Sequence, residues 1–559
     1  MAEPVASPGP RDTQGDPAAA DRRWVILVVV AVAQLMVVLD STIVNIALPS
    51  AQQALGFANS DRQWVVTGYA LAFGSLLLVG GRLGDMFSRK WIFITGLIGF
   101  AVASAIGGAA VSFVMLVSAR ALQGAFGAIL APAALGTLIS TFRDPRERGR
   151  AFAVFGSVAV GGGAVGLILG GILTQYLSWR YTLFVNLIFA AIAVAGALAY
   201  IHSSRPATRP RMDWPGAVLA CAGLFLIVFG FSHAETAGWT ATLTLGSLIL
   251  GAVLLSAFVV AEQRSSHPLL PLRVILDRTR GGSYVAVGIT GIAIFGTFLF
   301  LTFYMQQVKG YSPLTTGLLF LPLVAGILVA SALYSAVGAR VGPRPLVTVG
   351  MLLAAGGTAY LAQLTVTSSY VGGVLPALII MGLGFGAIFA PAINTATAGV
   401  PREDSGVASA LVNTMQQVGG SVGISILSTI AASATTSYLL AHHTSPQAPA
   451  AAATRGYTLA FAISAALLGL GAILAILMLP SRKRLEGLTS EASALISEPE
   501  PAAAAAAAAL APQSQVASTL NPAVRVMPVG LLCCSPVIDP GLSPAGHAAL
   551  AAGGIEPDS

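Results

Sequence analysis

Two ionisable residues stand where ionisable residues are rare. Asp40 lies in an apolar run that begins at Trp24 and ends Leu39-Asp40-Ser41-Thr42-Ile43-Val44-Asn45-Ile46-Ala47-Leu48-Pro49. Arg120 opens a second stretch of this kind, Arg120-Ala121-Leu122-Gln123-Gly124-Ala125-Phe126-Gly127. A charge inside a membrane-spanning helix costs about 2.5–3.5 kcal/mol on insertion scales, so such a residue marks a functional site by default. Burial disfavours the charged form of a carboxyl, which lets it take up and release a proton, and an arginine can sense or answer that change. At about 1.5 Å per residue, each of the two lies roughly 13 Å from the same end of its helix. They can therefore meet, directly or through water. The plainer readings are a carboxylate kept for packing and an arginine bonded to backbone carbonyls.

Amides and aromatics give a second set. Gln34, Asn45, Gln123, Phe298, Tyr304, Asn394, Asn413 and Gln417 fall inside apolar runs and are chosen by depth and chemistry as candidates to line a cavity that binds a small molecule. Buried amides either line such a space or join helices. Glycines mark further positions. Gly162, Gly166, Gly170 and Gly171 put small residues on one helix face, where another backbone can approach. Gly419, Gly420 and Gly423 repeat the theme. The stretch Gly81-Arg82-Leu83-Gly84-Asp85-Met86-Phe87-Ser88-Arg89-Lys90 reads as a charged loop. In it Gly81 and Gly84 allow a tight turn, and Asp85 can cap the next helix or pair with Arg89. Gly338-Ala339-Arg340-Val341-Gly342-Pro343-Arg344 looks like a degraded copy of that stretch. A weak repeat across two halves is what transporter folds leave in sequence.

These residues need long apolar elements to hold them. The 559 residues are 55% hydrophobic and only 9% charged, with a mean hydropathy of +0.81. This is the composition of a polytopic helical membrane protein, in which each helix satisfies its own backbone. Taking about 20 residues per span, fourteen helices are expected near 24–48, 64–83, 91–110, 112–139, 151–173, 181–201, 214–234, 240–261, 283–306, 315–338, 346–366, 370–397, 406–432 and 457–479. With the N-terminus inside, the inward segments gather Arg143-Arg146-Arg148-Arg150, Arg205-Arg209-Arg211 and Arg482-Lys483-Arg484, while outward segments hold only Arg62, Arg180, Lys309 and Arg455. That asymmetry obeys the positive-inside rule for an even number of spans with both termini cytoplasmic. Residues 1–21 and 486–559, rich in Pro, Ala and Gly, read as disordered cytoplasmic ends.

Several classes are disfavoured. The net charge of +7 is spread over short loops and gives no soluble basic domain, so no nucleic-acid partner is expected. Cys221, Cys533 and Cys534 suggest neither a disulfide framework nor a metal cluster, and His442-His443 is a weak metal hint at most. None of the three lysines, at 90, 309 and 483, completes a phosphate-binding loop. No metalloprotease motif is present, and no enzyme, metal or cofactor is expected. The first apolar run ends without a small-residue cleavage site, and no cleavable signal is expected.

Taken in order on fourteen spans, four stretches resemble the fourteen-helix drug:proton antiporters of the major facilitator superfamily, the EmrB/QacA type. They are Leu39 to Pro49, Gly81 to Lys90, Arg120 to Gly127 and Gly162 to Gly171, supported by Trp179-Arg180 with Asn186 and by Asn413 to Gly423. The resemblance covers roughly residues 24–485. It implies an all-α membrane protein of two six-helix bundles, 22–201 and 283–485, around a central cavity, with helices 7 and 8 inserted between them over 202–282. Helices 1 and 4 would line the cavity, helix 5 would face helix 10, and helix 2 would face helix 13. By matching positions, Asp40 and Arg120 would couple transport to protons. Gly81, Gly84, Asp85 and Arg89 would belong to a cytoplasmic gate, and the glycines of helix 5 to the antiporter motif.

Two departures stand out. Leu167 takes the place of the proline usual in helix 5, and Met86 and Ser88 replace a basic residue and a glycine in the helix 2–3 loop. The resemblance implies a monomeric exporter of lipophilic or cationic compounds in the inner cell membrane, driven by the proton gradient, with room for an accessory protein. An exporter of one metabolite or antibiotic, and a non-transporting receptor or scaffold on the same fold, remain open. An apolar cavity with few polar groups would suit broad selectivity.

Overall fold

A computed structural model describes residues 17–142, 144–203, 213–265, 268–270, 272–398, 400, 405–441, 448–484 and 487. Residues 1–16, the chain beyond 487 with Cys533 and Cys534, and His442-His443 lie outside them. The described helices belong to one compact unit. They are α1 (Pro17–Leu55), α2 (Arg62–Met86), α3 (Arg89–Gly108), α4 (Phe113–Thr141), α5 (Pro145–Tyr176), α6 (Tyr181–Tyr200), α7 (Trp214–Ala237) and α8 (Thr242–Arg264). A short α9 (Leu272–Ile275) leads to α10 (Arg278–Phe303), which ends in a wider π turn, Tyr304–Val308. Then come α11 (Pro313–Leu319), α12 (Leu321–Val341), α13 (Pro343–Leu361), a second π turn at Tyr370–Val374 leading into α14 (Leu375–Thr397), α15 (Ser405–Ala441) and α16 (Ala448–Met478).

Among the described residues, thirteen helical stretches are long and apolar enough to cross a bilayer. α13 is the fourteenth pass by position. Its 19 residues reach about 28 Å, close to the thickness of the hydrocarbon core, and its Pro-Arg-Pro start dilutes its apolarity. Several helices begin on side-chain caps that supply acceptors for their first amides. Asp144 accepts from Arg146 and Glu147, both at 2.9 Å, to start α5, and Asp277 does the same for α10.

Three boundaries differ from the sequence reading. α1 starts at Pro17, so residues 17–21, expected as part of a disordered leader, are helical. The span expected over 315–338 is two helices, α11 and α12, that meet at Phe320. The charged loop expected at Gly81–Lys90 is mostly helix: α2 continues to Met86 and α3 begins at Arg89, so Gly81, Gly84 and Asp85 are helical and the turn is reduced to Phe87 and Ser88. Glycine permits a turn but does not impose one, and neither glycine has a positive φ here.

Helices α1 to α6 form one half. α4 packs between α2 and α3, and α1 packs on α5 and α6. In the other half α10 packs on α15 and α16, and α14 packs on α12 and α13. Small residues set these approaches, because lipid gives apolar side chains no reason to prefer each other and close backbone contact must supply the attraction. A Cβ on Gly124 of α4 would lie 2.3 Å from the Tyr69 carbonyl oxygen of α2, and one on Gly80 would lie 2.1 Å from that of Ala128. α7 lies against α2 and α15. α8 packs on α7 and is otherwise mostly exposed.

The end carrying the arginine clusters is the basic end, and the opposite one the far end. Along the seam between halves, Gly74 of α2 meets Gln417 and Val418 of α15. At the far end hydrogen bonds between described residues cross the seam. Arg62 donates to the Tyr457 hydroxyl at 3.2 Å, Gln306 to the Ile46 carbonyl at 2.9 Å, and the Leu314 amide to Gln175 at 3.3 Å. Beside them α5 lies on α11 so closely that a Cβ on Gly171 would meet the Leu314 Cα at 2.5 Å, and one on Gly317 the Leu167 carbonyl oxygen at 2.2 Å. The halves are shut against each other there.

Gly124→Ala is expected to lower the thermal midpoint of the detergent-purified chain, since overpacking against backbone costs about 1–3 kcal/mol. Gly84→Ala, with nothing within 4 Å of its Cβ position, is expected to leave the midpoint unchanged or raise it. A thermal unfolding series on the two variants checks both.

Candidate functional site

The structure places Asp40 and Arg120 in contact. Asp40 is fully buried and Arg120 is 2% exposed, and the Arg120 Nη1 lies 2.5 Å from the Asp40 Oδ2. Two amides complete the carboxylate's shell: Gln123 Nε2 donates to Oδ1 at 2.9 Å and Asn186 Nδ2 to the same oxygen at 2.8 Å. A buried charge is tolerated when it is both paired and hydrogen-bonded, and here it is both.

The arginine is held as tightly as the acid. Its Nη1 also donates to Gln123 Oε1 at 2.9 Å and its Nε to the Val65 carbonyl at 3.2 Å. The guanidinium carbon stands 4.5 Å from the centre of the Tyr69 ring, a cation–π contact that gains strength away from water. Ser104 closes the network, accepting from Gln123 at 2.7 Å and Asn186 at 3.3 Å while donating to its own helix at Phe100. Five helices thus meet at one ion pair: α1 gives the acid, α4 the arginine and Gln123, α6 Asn186, α3 Ser104, and α2 a carbonyl and a ring.

Arg120 also borders a void of about 10 Å³, which is about the space one water needs. Val44, Leu48, Val65, Leu116 and Trp179 are among its walls, and they lie toward the far end.

Helix α5 presses on α1 beside the acid. Cβ atoms on Gly162, Gly166 and Gly170 would meet Leu35, Thr42 and Ile43 of α1, at 3.0, 1.9 and 3.0 Å. Gly171 instead faces α11 across the seam. Leu167 is fully buried at that seam, and α5 runs unbroken over its 32 residues. At the basic end Arg89 donates to the Gly136 carbonyl at 3.2 Å. The side chain of Asp85 lies outside the described residues.

The eight residues expected to line a cavity are not brought together. Gln123 belongs to the Asp40 network instead. Tyr304 is buried at the far end and donates to the Thr365 carbonyl at 2.7 Å. Asn45 donates to the Ser41 carbonyl of its own helix, and the Phe298 ring lies tilted against that of Phe320, their centres 5.0 Å apart. Asn394 is exposed and donates to the Tyr334 hydroxyl at 2.8 Å. Asn413 is exposed, and Gln34 and Gln417 are half-buried.

Ser104 was not legible as a partner, because a helical serine ordinarily bonds its own preceding turn and gives no periodic signal. Tyr69 has the same difficulty. Asn186 stood out only through the resemblance.

The Major Facilitator Superfamily profile matches residues 30–424. The chain is 47% identical to the puromycin resistance protein pur8 of Streptomyces alboniger, over 86% of this chain and 95% of that one. It is 40% identical to the cephamycin export protein CmcT of Amycolatopsis lactamdurans, over 73% of this chain and 85% of that one. A solved structure of an auto-inhibited POT family peptide transporter superposes with a TM-score of 0.60 at 17% identity, covering 82% of this chain and 96% of that one. An inward-facing, unoccupied bacterial homologue of the human lysosomal transporter Spinster gives 0.58 at 16%, with 83% and 97% covered. At such identities the two structures speak for the fold alone.

Arg120→Gln is expected to destabilise the chain by about 3–5 kcal/mol, because it strands a buried carboxylate. Asp40→Asn with Arg120→Gln should cost less than Arg120→Gln alone. A thermal double-mutant cycle reads the coupling, and additive losses would mean that the pair is energetically silent.

Proposed function

The chain belongs to the major facilitator superfamily, and from its relatives we infer that it is an efflux transporter. Within that family we propose a proton-coupled antiporter of the fourteen-helix EmrB/QacA type, which exports amphipathic small molecules by alternating access and so confers antibiotic resistance. The observation that carries the proposal is the buried Asp40–Arg120 pair with its ring of amides.

The chemistry follows from the electrostatics. With Asp40 ionised, the pair is neutral as a whole and ties α1 to α4 and α6. A proton taken up by Asp40 removes the negative charge, leaves Arg120 as an unpaired buried cation, and weakens the contacts that hold these helices together. The arrangement favoured with the proton bound therefore differs from that favoured without it, which is the differential interaction a ligand needs to shift a conformational equilibrium. Proton and cargo then compete through conformation, with the proton gradient as the energy source and no cofactor. Gln123, Asn186 and Ser104 position the acid. The remaining candidates Gln34, Asn45, Phe298, Tyr304, Asn394, Asn413 and Gln417 stay assigned to the cargo path.

The N-terminal bundle is assigned to 22–201, the inserted helices with their flanking loops to 202–282 and the C-terminal bundle to 283–485. Cytoplasmic ends precede and follow them, at 1–21 and 486–559. The basic end faces the cytoplasm by the positive-inside rule, in the cell membrane, and the sealed far end faces outward. Gly81, Gly84, Asp85 and Arg89 act at the cytoplasmic gate, and Gly162, Gly166, Gly170 and Gly171 at the α1–α5 and α5–α11 contacts. The transporter works as a monomer, with room for an accessory protein.

A narrower reading has specific support. Several relatives are named for single antibiotics or closely related sets, such as puromycin, cephamycin and tetracenomycin C, and the same machinery would serve an exporter of one such compound.

Cells expressing the chain are expected to extrude ethidium or one of a panel of antibiotics, puromycin among them, and to stop when a protonophore is added. Asp40→Asn at equal expression should abolish this export. Efflux that survives Asp40→Asn would move the coupling elsewhere, and efflux of a single compound would select the narrow reading.

A further inference from the structure

A second buried arginine stands at the far end, next in the chain to Asp61 but not paired with it. Arg62, the first residue of α2, is 7% exposed. Among the described residues it forms no ion pair, and its Nε is buried without a hydrogen-bond partner. Its environment is aromatic. The guanidinium carbon lies 4.2 Å from the centre of the Phe303 ring, 5.3 Å from that of Tyr457 and 6.0 Å from that of Phe300. Nη1 donates to the Tyr457 hydroxyl at 3.2 Å. Ring faces converging on a cation in this way are the chemistry that recognises quaternary ammonium and related organic cations.

The box and its occupant come from different halves. Phe300 and Phe303 belong to α10 and Tyr457 to α16, while Arg62 arrives from α2 across the seam. The rings do not need Arg62 to stay together: Phe300 packs on Tyr457 at 5.8 Å and on Phe461 at 6.4 Å, within the second half. When the halves part at the far end, Arg62 leaves with α2 and the box remains on α10 and α16, opened to the exit.

We propose that the Phe300–Phe303–Tyr457 box is a binding subsite for organic cations at the far-end exit, and that Arg62 is its tethered competitor. While the far end is shut, the arginine fills the box. While it is open, a cationic cargo can rest there, and the returning guanidinium displaces it as the seam closes. The device acts on cations and is indifferent to neutral cargo of the same shape. That the far end opens at all rests on the export reading above. The test is therefore an equilibrium one that requires no transport and stands or falls apart from the efflux assay.

The probe is benzyltrimethylammonium, with neopentylbenzene, in which carbon replaces the charged nitrogen, as its neutral counterpart. Binding is measured to the purified full-length chain in detergent. Arg62→Gln vacates the box and is expected to tighten benzyltrimethylammonium binding about tenfold, with no gain for neopentylbenzene. Phe303→Leu added to Arg62→Gln should remove the gain. Tyr457→Phe keeps all three rings but frees the arginine from its hydroxyl, and should give a smaller gain in the same direction. It poses the same question if Arg62→Gln does not fold. No tightening in either variant would overturn the proposal. So would a gain that survives Phe303→Leu, or one shared by the neutral compound.

Discussion

A carboxylate in an apolar bundle has to find every one of its partners inside the protein. Asp40 sits where water cannot solvate it, and much of the first half is arranged around that demand. One oxygen takes a guanidinium from α4, the other takes amides from α4 and α6, and the donors are steadied by Ser104 of α3 and a carbonyl of α2. Packing alone does not ask for this, since six apolar helices pack without a charge among them. The ion pair sets one buried charge pair in an otherwise generic bundle, and on the proposed proton-coupled reading the arrangement of the helices depends on the charge of that single side chain.

Buried charge is handled differently in the core of the first half and at the seam between halves. In the first, the cation is met by an acid and the site is neutral as a whole. At the far seam Arg62 is met by π faces and a hydroxyl, a weaker compensation that leaves one nitrogen without an acceptor. The first arrangement suits the lasting, protonatable pair that the proposed function calls for. The second suits a contact that forms and breaks. Glycine plays a parallel part in both: at Gly124 it fixes a permanent helix pair, and at Gly171 and Gly317 it lets α5 and α11 touch across a boundary that separates during transport.

Much of this could be read from the chain, and what could not has physical reasons. Fourteen spans follow from apolar run lengths and from arginine placement, two strong and independent signals. The meeting of Asp40 with Arg120 follows from equal depth, because a helix converts sequence distance into height. Azimuth is not so easily converted. Whether Asn394, Asn413 or Tyr304 faces a cavity, a neighbour or lipid depends on helix rotation, and a helix that is apolar all round carries little record of its facing. That is why depth and chemistry set Gln123 among the cargo candidates, while the structure puts it beside the acid. The Gly81–Lys90 stretch misled for another reason: its glycines and charges look like a turn, yet the helix extends through them because a helix satisfies its own backbone wherever it runs.

The unbroken course of α5 has a mechanical consequence. Where a proline would have divided the helix into two independent arms, Leu167 leaves a single rod of 32 residues, about 48 Å long. The rod bears on α1 about two-thirds of the way along, where Gly166 meets Thr42, and on α11 just beyond, from Leu167 to Gly171. A rod that rocks about that point moves its ends in opposite directions, and a tilt of about 10° would carry the basic end roughly 5 Å and the far end roughly 3 Å. With this lever in place, loosening the far seam and narrowing the basic end become one displacement, with its fulcrum two residues along the chain from the acid.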